Sequence, residues 1–165
     1  MIITLLFIFF LLLENLFLPA LIGPEPFFIV ILFITAMLIY SQNIKPRLIQ
    51  ATVFLFIAEI VSGAGYGSFI IPFAIIACLY LWLNRYLEIS SSLQESGSYF
   101  GILGGLFVIS LFVFGYSFLS LFIQASYNIV GAWQNFVPLI KISAYQTLLW
   151  AFFFVILFKY VLRAK

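Results

Sequence analysis

Apolar stretches long enough to form membrane helices follow one another along almost the whole chain. A transmembrane helix needs about 20 predominantly apolar residues to cross ~30 Å of hydrocarbon. The sequence predicts six spans, at approximately residues 2–18, 27–41, 47–61, 68–84, 99–122 and 142–162. We therefore expect an all-α, polytopic membrane helix bundle that forms a single transmembrane domain over residues 1–165.

Prolines and glycines mark the breaks between the first three spans. The first break contains Pro19, Gly23, Pro24 and Pro26, and Pro26 is well placed at the start of the second span. Spans 27–41 and 47–61 are short for a complete crossing, so a re-entrant third span, giving five spans, is the alternative. Residues 125–140 mix aromatic and amide side chains, which is typical of a separate segment at the membrane interface.

The distribution of basic residues favours six spans over five. With a cytoplasmic N-terminus, the inner loops and tail contain Lys45, Arg47, Arg85, Lys159, Arg163 and Lys165. The outer loops contain only Lys141. Because cytoplasmic loops carry an excess of Lys and Arg, both termini are predicted to be cytoplasmic. A five-span arrangement would put the three C-terminal basic residues on the outside.

Composition excludes several functional classes. The chain is 66% hydrophobic and 7% charged, unlike a soluble globular domain. It has no His and no Asp, which excludes His-dependent catalytic triads, His metal sites and intramembrane aspartyl chemistry. The net charge of +2 is too small to indicate nucleic-acid binding. We expect a non-enzymatic protein with no cofactor and no metal, whose first partner is the lipid bilayer.

Two carboxylates fall inside the apolar spans. Glu59 lies near the outer end of the third span, and Glu14 lies at similar depth in the outer third of the first. An ionised side chain costs about 2.5–3.5 kcal/mol at mid-membrane, so each acid should face other helices or a wet cleft. Protonation, or hydrogen bonds from Asn15, Ser62 and Tyr66, would compensate it locally. The alternative is an acid that extends to the outer interface and binds water.

Glu59 is followed by three closely spaced glycines, Gly63, Gly65 and Gly67. They predict a tight outer turn that uses positive φ angles. In addition, glycines allow another helix to approach closely. The same two interpretations apply to Gly101, Gly104 and Gly105 in the fifth span.

The tetrapeptide AGYG at 64–67 resembles the end of a potassium-channel filter. A filter also needs Thr and Val or Ile ahead of its Gly-Tyr-Gly, so that oxygen atoms replace the hydration shell of the ion. Those places hold Gly63 and Ala64 here, and Ser68 stands where Asp usually follows. An ion channel is therefore only a remote alternative.

A second resemblance covers most of the chain. The break LPALIGPEPFFIVILF and the later stretch AEIVSGAGYGSFIIPFAIIACLYLWL resemble the rod shape-determining protein MreD family of bacteria. That family has an acid near the end of its third span, followed by a small-residue turn and a long apolar span. Its acid is usually Asp, often after a Gly-Leu pair, whereas here Glu59 follows Phe56, Ile57 and Ala58.

The resemblance implies a non-catalytic inner-membrane scaffold of the cell-elongation machinery, which guides peptidoglycan synthesis and maintains cell shape. Its partners would be an MreC-like single-span protein, the peptidoglycan polymerase and the transpeptidase. A partner's transmembrane helix would pack on small-residue and aromatic surfaces. The candidate structural or partner-interaction residues are Glu59, Glu14, Gly63, Gly65, Gly67, Tyr66 and Pro26.

MreD-like proteins are similar in fold to the substrate-binding S components of energy-coupling factor transporters, so an S component is the alternative function. Such a protein needs an outward pocket with several polar groups to fix its ligand. The predicted outer loops offer few polar side chains, which favours the scaffold.

Overall fold

The computed structural model of the protein describes residues 2–21, 28–41, 43–63, 67–87, 89, 93, 98–124 and 129–161. Within these ranges all regular structure is helical, which confirms the predicted all-α class. The helices are α1 (Ile2–Leu21), α2 (Ile29–Ile39), α3 (Ile44–Ser62), α4 (Ile70–Leu87), α5 (Ser98–Gln124) and α6 (Ile129–Ile156). A π-helical turn, Leu13–Phe17, lies within α1, and another, Leu157–Val161, extends α6.

Three helices in the described part of the chain are long and apolar enough to cross a membrane. They are Ile2–Leu21, Ile70–Leu87 and Gly101–Ile123. The apolar helices Ile29–Ile39 and Ala144–Tyr160 are shorter. By length and composition the coarse prediction of a membrane helix bundle holds, whereas the count of six spans stays a prediction.

The short helix α2 forms the centre of the bundle. Every one of its 11 residues is buried, and it contacts α1, α3, α5 and α6. A helix that is apolar on all sides is stable only when it is enclosed. At about 1.5 Å per residue, α2 is roughly 17 Å long, much shorter than the hydrocarbon layer. Because protein surrounds α2, it does not need to span the bilayer by itself.

Contacts between helix termini define two opposite ends of the bundle. At one end, the Tyr40 hydroxyl, just after α2, lies 3.5 Å from the Gly101 carbonyl oxygen near the start of α5. Also at that end, the Lys159 Nζ donates to the Leu93 carbonyl at 3.3 Å. We call this the basic end, because it contains Lys45, Arg47, Arg85 and Lys159. The opposite end, where α1 and α3 finish and α2 and α4 begin, is called the cavity end.

The last helix differs from the predicted one. Residues 125–140 were predicted to form a segment separate from the final span, but from Ile129 onward they belong to α6, with Pro138 inside the helix. Packing explains the difference, since the Phe118 ring of α5 lies 5.3 Å from Phe136 and 6.4 Å from Trp133. Helices in membranes tolerate an internal proline when neighbouring groups satisfy the freed backbone atoms.

Proline also fails to end α1 where the sequence predicted a break. The helix passes through Pro19 and continues to Leu21. A π-helical turn directly precedes the short segment Leu18–Leu21 that contains this proline. The wider π-helical turn accommodates a residue that cannot donate a backbone hydrogen bond.

Two glycines of α5 allow close packing, but with side chains of this chain. A Cβ atom added to Gly105 would overlap the Tyr40 hydroxyl, and one added to Gly104 would lie 2.6 Å from Leu93 Cδ2. The small-residue surface of α5 is therefore occupied internally, at the basic end. Elsewhere the helices expose large apolar side chains, including Phe9 and Leu16 of α1, Val53, Phe56 and Ile60 of α3, Leu79 of α4 and Phe107 of α5.

Candidate functional site

Glu59 binds the backbone at the start of the next helix. Its carboxylate accepts hydrogen bonds from the N–H groups of Gly67 (3.1 Å), Phe69 (2.7 Å) and Ile70 (2.9 Å). The first N–H groups of any helix lack partners within that helix, and a negative charge there also interacts favourably with the helix dipole. Glu59 is only 1% exposed, so the carboxylate is a buried cap of α4 supplied by the end of α3.

The turn between α3 and α4 explains why the chain needs glycine near Glu59. Gly63 has a φ angle of 67° and Gly67 one of 85°, both in the left-handed region that a tight turn requires. Ser68 has the residue type that usually caps a helix with its own side chain. Its hydroxyl is buried and has no partner among the described residues, because Glu59 already binds the neighbouring N–H groups.

Glu14 caps α2 in a related way. The Val30 N–H donates to Glu14 Oε2 at 2.6 Å, and the N–H groups of Phe28 and Ile29 also interact with the carboxylate. This acid lies in the π-helical turn of α1, and its partner is 16 residues away in sequence. Two carboxylates from α1 and α3 thus stabilise the starts of the two helices that follow them.

The backbone at Phe28 directs its N–H groups toward Glu14. Phe28 has a φ angle of 52°, and no other described residue except glycine has a positive φ. A left-handed residue next to helical ones makes successive N–H groups converge into an anion-binding concavity. The conformation costs about 1–3 kcal/mol for a residue with a Cβ, so the contact with Glu14 must offset strain.

Two of the three polar side chains that were expected to satisfy the acids, Asn15 and Ser62, bind elsewhere. Asn15 Nδ2 donates to the Leu11 carbonyl at 2.9 Å, and Ser62 Oγ donates to the Glu59 backbone carbonyl at 3.2 Å. Pro26, Gly65 and Tyr66 lie outside the described residues. Backbone N–H groups, which every sequence contains, replace the predicted side-chain donors.

A cavity of about 280 Å³ lies at the cavity end, beside the first turn of α2. The polar residues that line it are Glu14, Asn15, Tyr116, Ser117 and Ser120, and the apolar ones are Phe28, Val30, Ile31, Ala58, Phe69 and Leu121. Glu14 lines this cavity, whereas Glu59 does not.

Tyr116 links the two acids and was not identified from the sequence. It is 2% exposed and lies close enough to Glu14 and Glu59 to interact electrostatically with both. The sequence does contain a signal for it, since Tyr116 and Ser120 are four residues apart and lie on one face of an otherwise apolar helix. Such a polar stripe within a span indicates a surface that faces protein or a cavity rather than lipid.

The fold defines an all-helical protein with three described helices long and apolar enough to cross a membrane. Its candidate site consists of two carboxylate caps and a cavity at one end of the bundle. Comparison with known proteins gives no match to a family model, to a curated protein or to a solved structure.

Proposed function

We propose that this chain is an MreD-like, non-catalytic scaffold of the bacterial inner membrane, which acts in cell elongation and peptidoglycan synthesis. The Glu59 cap carries the proposal. The resemblance depends on an acid near the end of the third span and a glycine turn after it, and the carboxylate bonds to Gly67, Phe69 and Ile70 give that motif a physical role. A rigid connection between two helices is what a protein needs if it presents a fixed surface to a partner.

The partner would be an MreC-like protein whose single transmembrane helix packs on exposed apolar side chains. The surface that fits best is the outer face of α3, which exposes Val53, Phe56 and Ile60 and ends beside Glu59. The glycines of α5 are less suited, because Gly104 and Gly105 already contact this chain's own side chains. The peptidoglycan polymerase and transpeptidase would join through that complex.

The orientation follows from the charges in the proposed six-span arrangement. The basic end would be cytoplasmic, because Lys and Arg accumulate in cytoplasmic loops. Since the helices alternate in direction, α1 begins and α6 finishes at that same end. A reporter that works only outside the cytoplasm, fused after Lys165, should therefore give no signal. A strong signal would contradict the six-span arrangement.

Co-purification tests the function. The tagged full chain should co-purify with an MreC-like single-span protein from its own membranes. The Glu59→Leu variant should no longer co-purify with that partner, whereas Glu59→Gln should.

Recovery of a pair of ATPases instead would favour the second candidate, an energy-coupling factor S component. The cavity of about 280 Å³ is the observation that favours this alternative. A vitamin that co-purifies with the chain, or binds it at nanomolar concentration, would also favour it.

A further inference from the structure

We propose that the cavity beside the first turn of α2 binds the ammonium group of a small amine. The cavity is near the lower limit of roughly 300–1,000 Å³ that is usual for small-molecule sites, so the ligand must be compact. The inference does not depend on a partner helix. A chain that bound amines but no MreC-like protein would keep it and lose the proposed function.

Position at the cavity distinguishes Glu14 from Glu59. An ionised carboxylate has about four acceptor positions. Glu59 uses both oxygens for three backbone N–H groups and is buried. Glu14 accepts the Val30 hydrogen bond on Oε2, also interacts with the N–H groups of Phe28 and Ile29, and lines the cavity. With at most three of its four positions used, Glu14 keeps at least one acceptor position for a donor inside the cavity.

Tyr116 provides a second polar group at the same place. Its side chain is 2% exposed, and the residue lines the cavity together with Glu14. A ligand donor that forms a hydrogen bond with the Tyr116 hydroxyl gains affinity, because such a bond is stronger in a buried site than in water. A hydroxyl can accept from an ammonium group that Glu14 also binds.

The charges around the cavity select a cation and exclude an anion. No described residue that lines the cavity is Lys or Arg, so a carboxylate or phosphate on the ligand would meet Glu14 without a compensating charge. An ammonium group has the complementary charge. The rings of Phe28, Phe69 and Tyr116 also border the cavity, and aromatic faces attract cations.

The remaining wall accommodates an apolar body. Ile31, Ala58 and Leu121 contribute aliphatic side chains to the cavity. A ligand with one ammonium head and a short hydrocarbon chain matches both the polar and the apolar lining residues. The same ammonium chemistry occurs in a free amine and in the headgroup of an aminophospholipid, but the phosphate of the lipid would lie near Glu14. The free amine is therefore the better match.

Calorimetric titration of the purified full chain tests the site, with n-butylammonium as the probe and 1-butanol as its uncharged analogue. We expect saturable amine binding and butanol binding at least about tenfold weaker, because a hydrogen bond to a charged group is worth about a factor of ten. Glu14→Gln should weaken amine binding about tenfold, and Tyr116→Phe should weaken it about threefold. Equal binding of butanol, or no saturable binding, would overturn the inference.

Two matched variants separate binding from folding. Glu59→Gln removes the same charge from a carboxylate that does not line the cavity, and Ser110→Ala removes a buried α5 hydroxyl away from it. Ser110→Ala should leave amine affinity within about twofold of the unmodified chain. Glu59→Gln should weaken it clearly less than Glu14→Gln does, because its carboxylate does not line the cavity. Equal losses in Glu14→Gln and Glu59→Gln would mean that only the helix caps matter, which contradicts the inference.

Nanodiscs that contain phosphatidylethanolamine or phosphatidylglycerol distinguish a lipid headgroup from a free amine as the source of the ammonium group. If butylammonium binds more weakly in phosphatidylethanolamine than in phosphatidylglycerol, the lipid headgroup competes for the ammonium site. Equal affinity in the two lipids means that only the free amine binds.

Discussion

Glu59 and Glu14 each accept N–H groups at the start of a helix other than their own, but the chain around them differs. Glu59 binds a turn only 8 to 11 residues further on, through three hydrogen bonds, and is fully enclosed. Glu14 binds Val30, 16 residues away, through one hydrogen bond of 2.6 Å, and borders an open cavity. Glycines form the turn at Glu59, whereas a strained Phe28 forms the one at Glu14.

The difference shows how one solution to a solvation problem can serve two purposes. A carboxylate in an apolar bundle needs donors, and the free N–H groups of a helix start supply them without a second charge. When the carboxylate is enclosed and away from the cavity, as at Glu59, the acid contributes only to the structure. When an acceptor position remains next to a cavity, as at Glu14, the acid keeps a capacity for binding.

The largest expected effect is the loss of stability when leucine replaces either capping carboxylate. Leucine removes every polar contact and leaves the N–H groups unpaired, at about 1–3 kcal/mol for each buried group. Glu59→Leu leaves three such groups unpaired in an enclosed place, whereas Glu14→Leu leaves the Val30 N–H unpaired and removes the interactions with Phe28 and Ile29 beside the cavity. We expect Glu59→Leu to lower membrane abundance and the thermal midpoint in detergent more than Glu14→Leu does. Equal losses of abundance and thermal midpoint in the two variants would show that the Glu59 hydrogen bonds do not stabilise the protein more than those of Glu14.

Much of the helical framework could be predicted from the sequence, because apolar runs and breaks carry strong signals. The predicted span 99–122, for example, matches the helix Ser98–Gln124 closely. The need for partners at Glu14 and Glu59 also followed from the cost of charge in hydrocarbon. Their actual partners could not be predicted, since a backbone N–H has no sequence signature and Val30 is distant from Glu14 in the chain.

Two further features were beyond sequence reasoning for physical reasons. The left-handed Phe28 contradicts local preference, which favours glycine there, and only the tertiary contact with Glu14 explains it. The continuity of α6 through Pro138 depends on packing of Phe136 against Phe118 in another helix. In both places a long-range contact outweighs a local propensity.

An intermediate effect is expected at the glycine turn. Gly67→Ala puts a Cβ on a residue with φ of 85°, 2.7 Å from Ile71 Cδ1. The left-handed backbone costs about 1–2 kcal/mol with a Cβ, and the flexible Ile71 side chain must also move. Gly63→Ala has the same backbone cost with nothing within 4 Å, so it should be the milder variant.

Phe28→Gly, beside Glu14, is the control for the two glycine substitutions. Phe28→Gly relieves a left-handed residue, so the gain should offset most of the lost ring packing and the thermal midpoint should change less than with Gly67→Ala. Thermal unfolding in detergent would measure all three variants. If Gly67→Ala were as stable as the unmodified chain, the turn after α3 would not need the left-handed conformation that accompanies the Glu59 bonds.

The smallest effect, and the most informative, is that of neutral glutamine at either acid. The glutamine oxygen has two acceptor positions, so Glu59→Gln can keep two of its three N–H bonds, and Glu14→Gln can keep its one. Loss of the ion also removes a desolvation cost. We expect a loss of about 1 kcal/mol at Glu59 and less at Glu14, with abundance and partner co-purification retained at both. If Glu59 must instead ionise, to meet a partner's cation or to carry a proton, Glu59→Gln should fail as Glu59→Leu does. That result would reverse the comparison, because the enclosed carboxylate would then be the functional one.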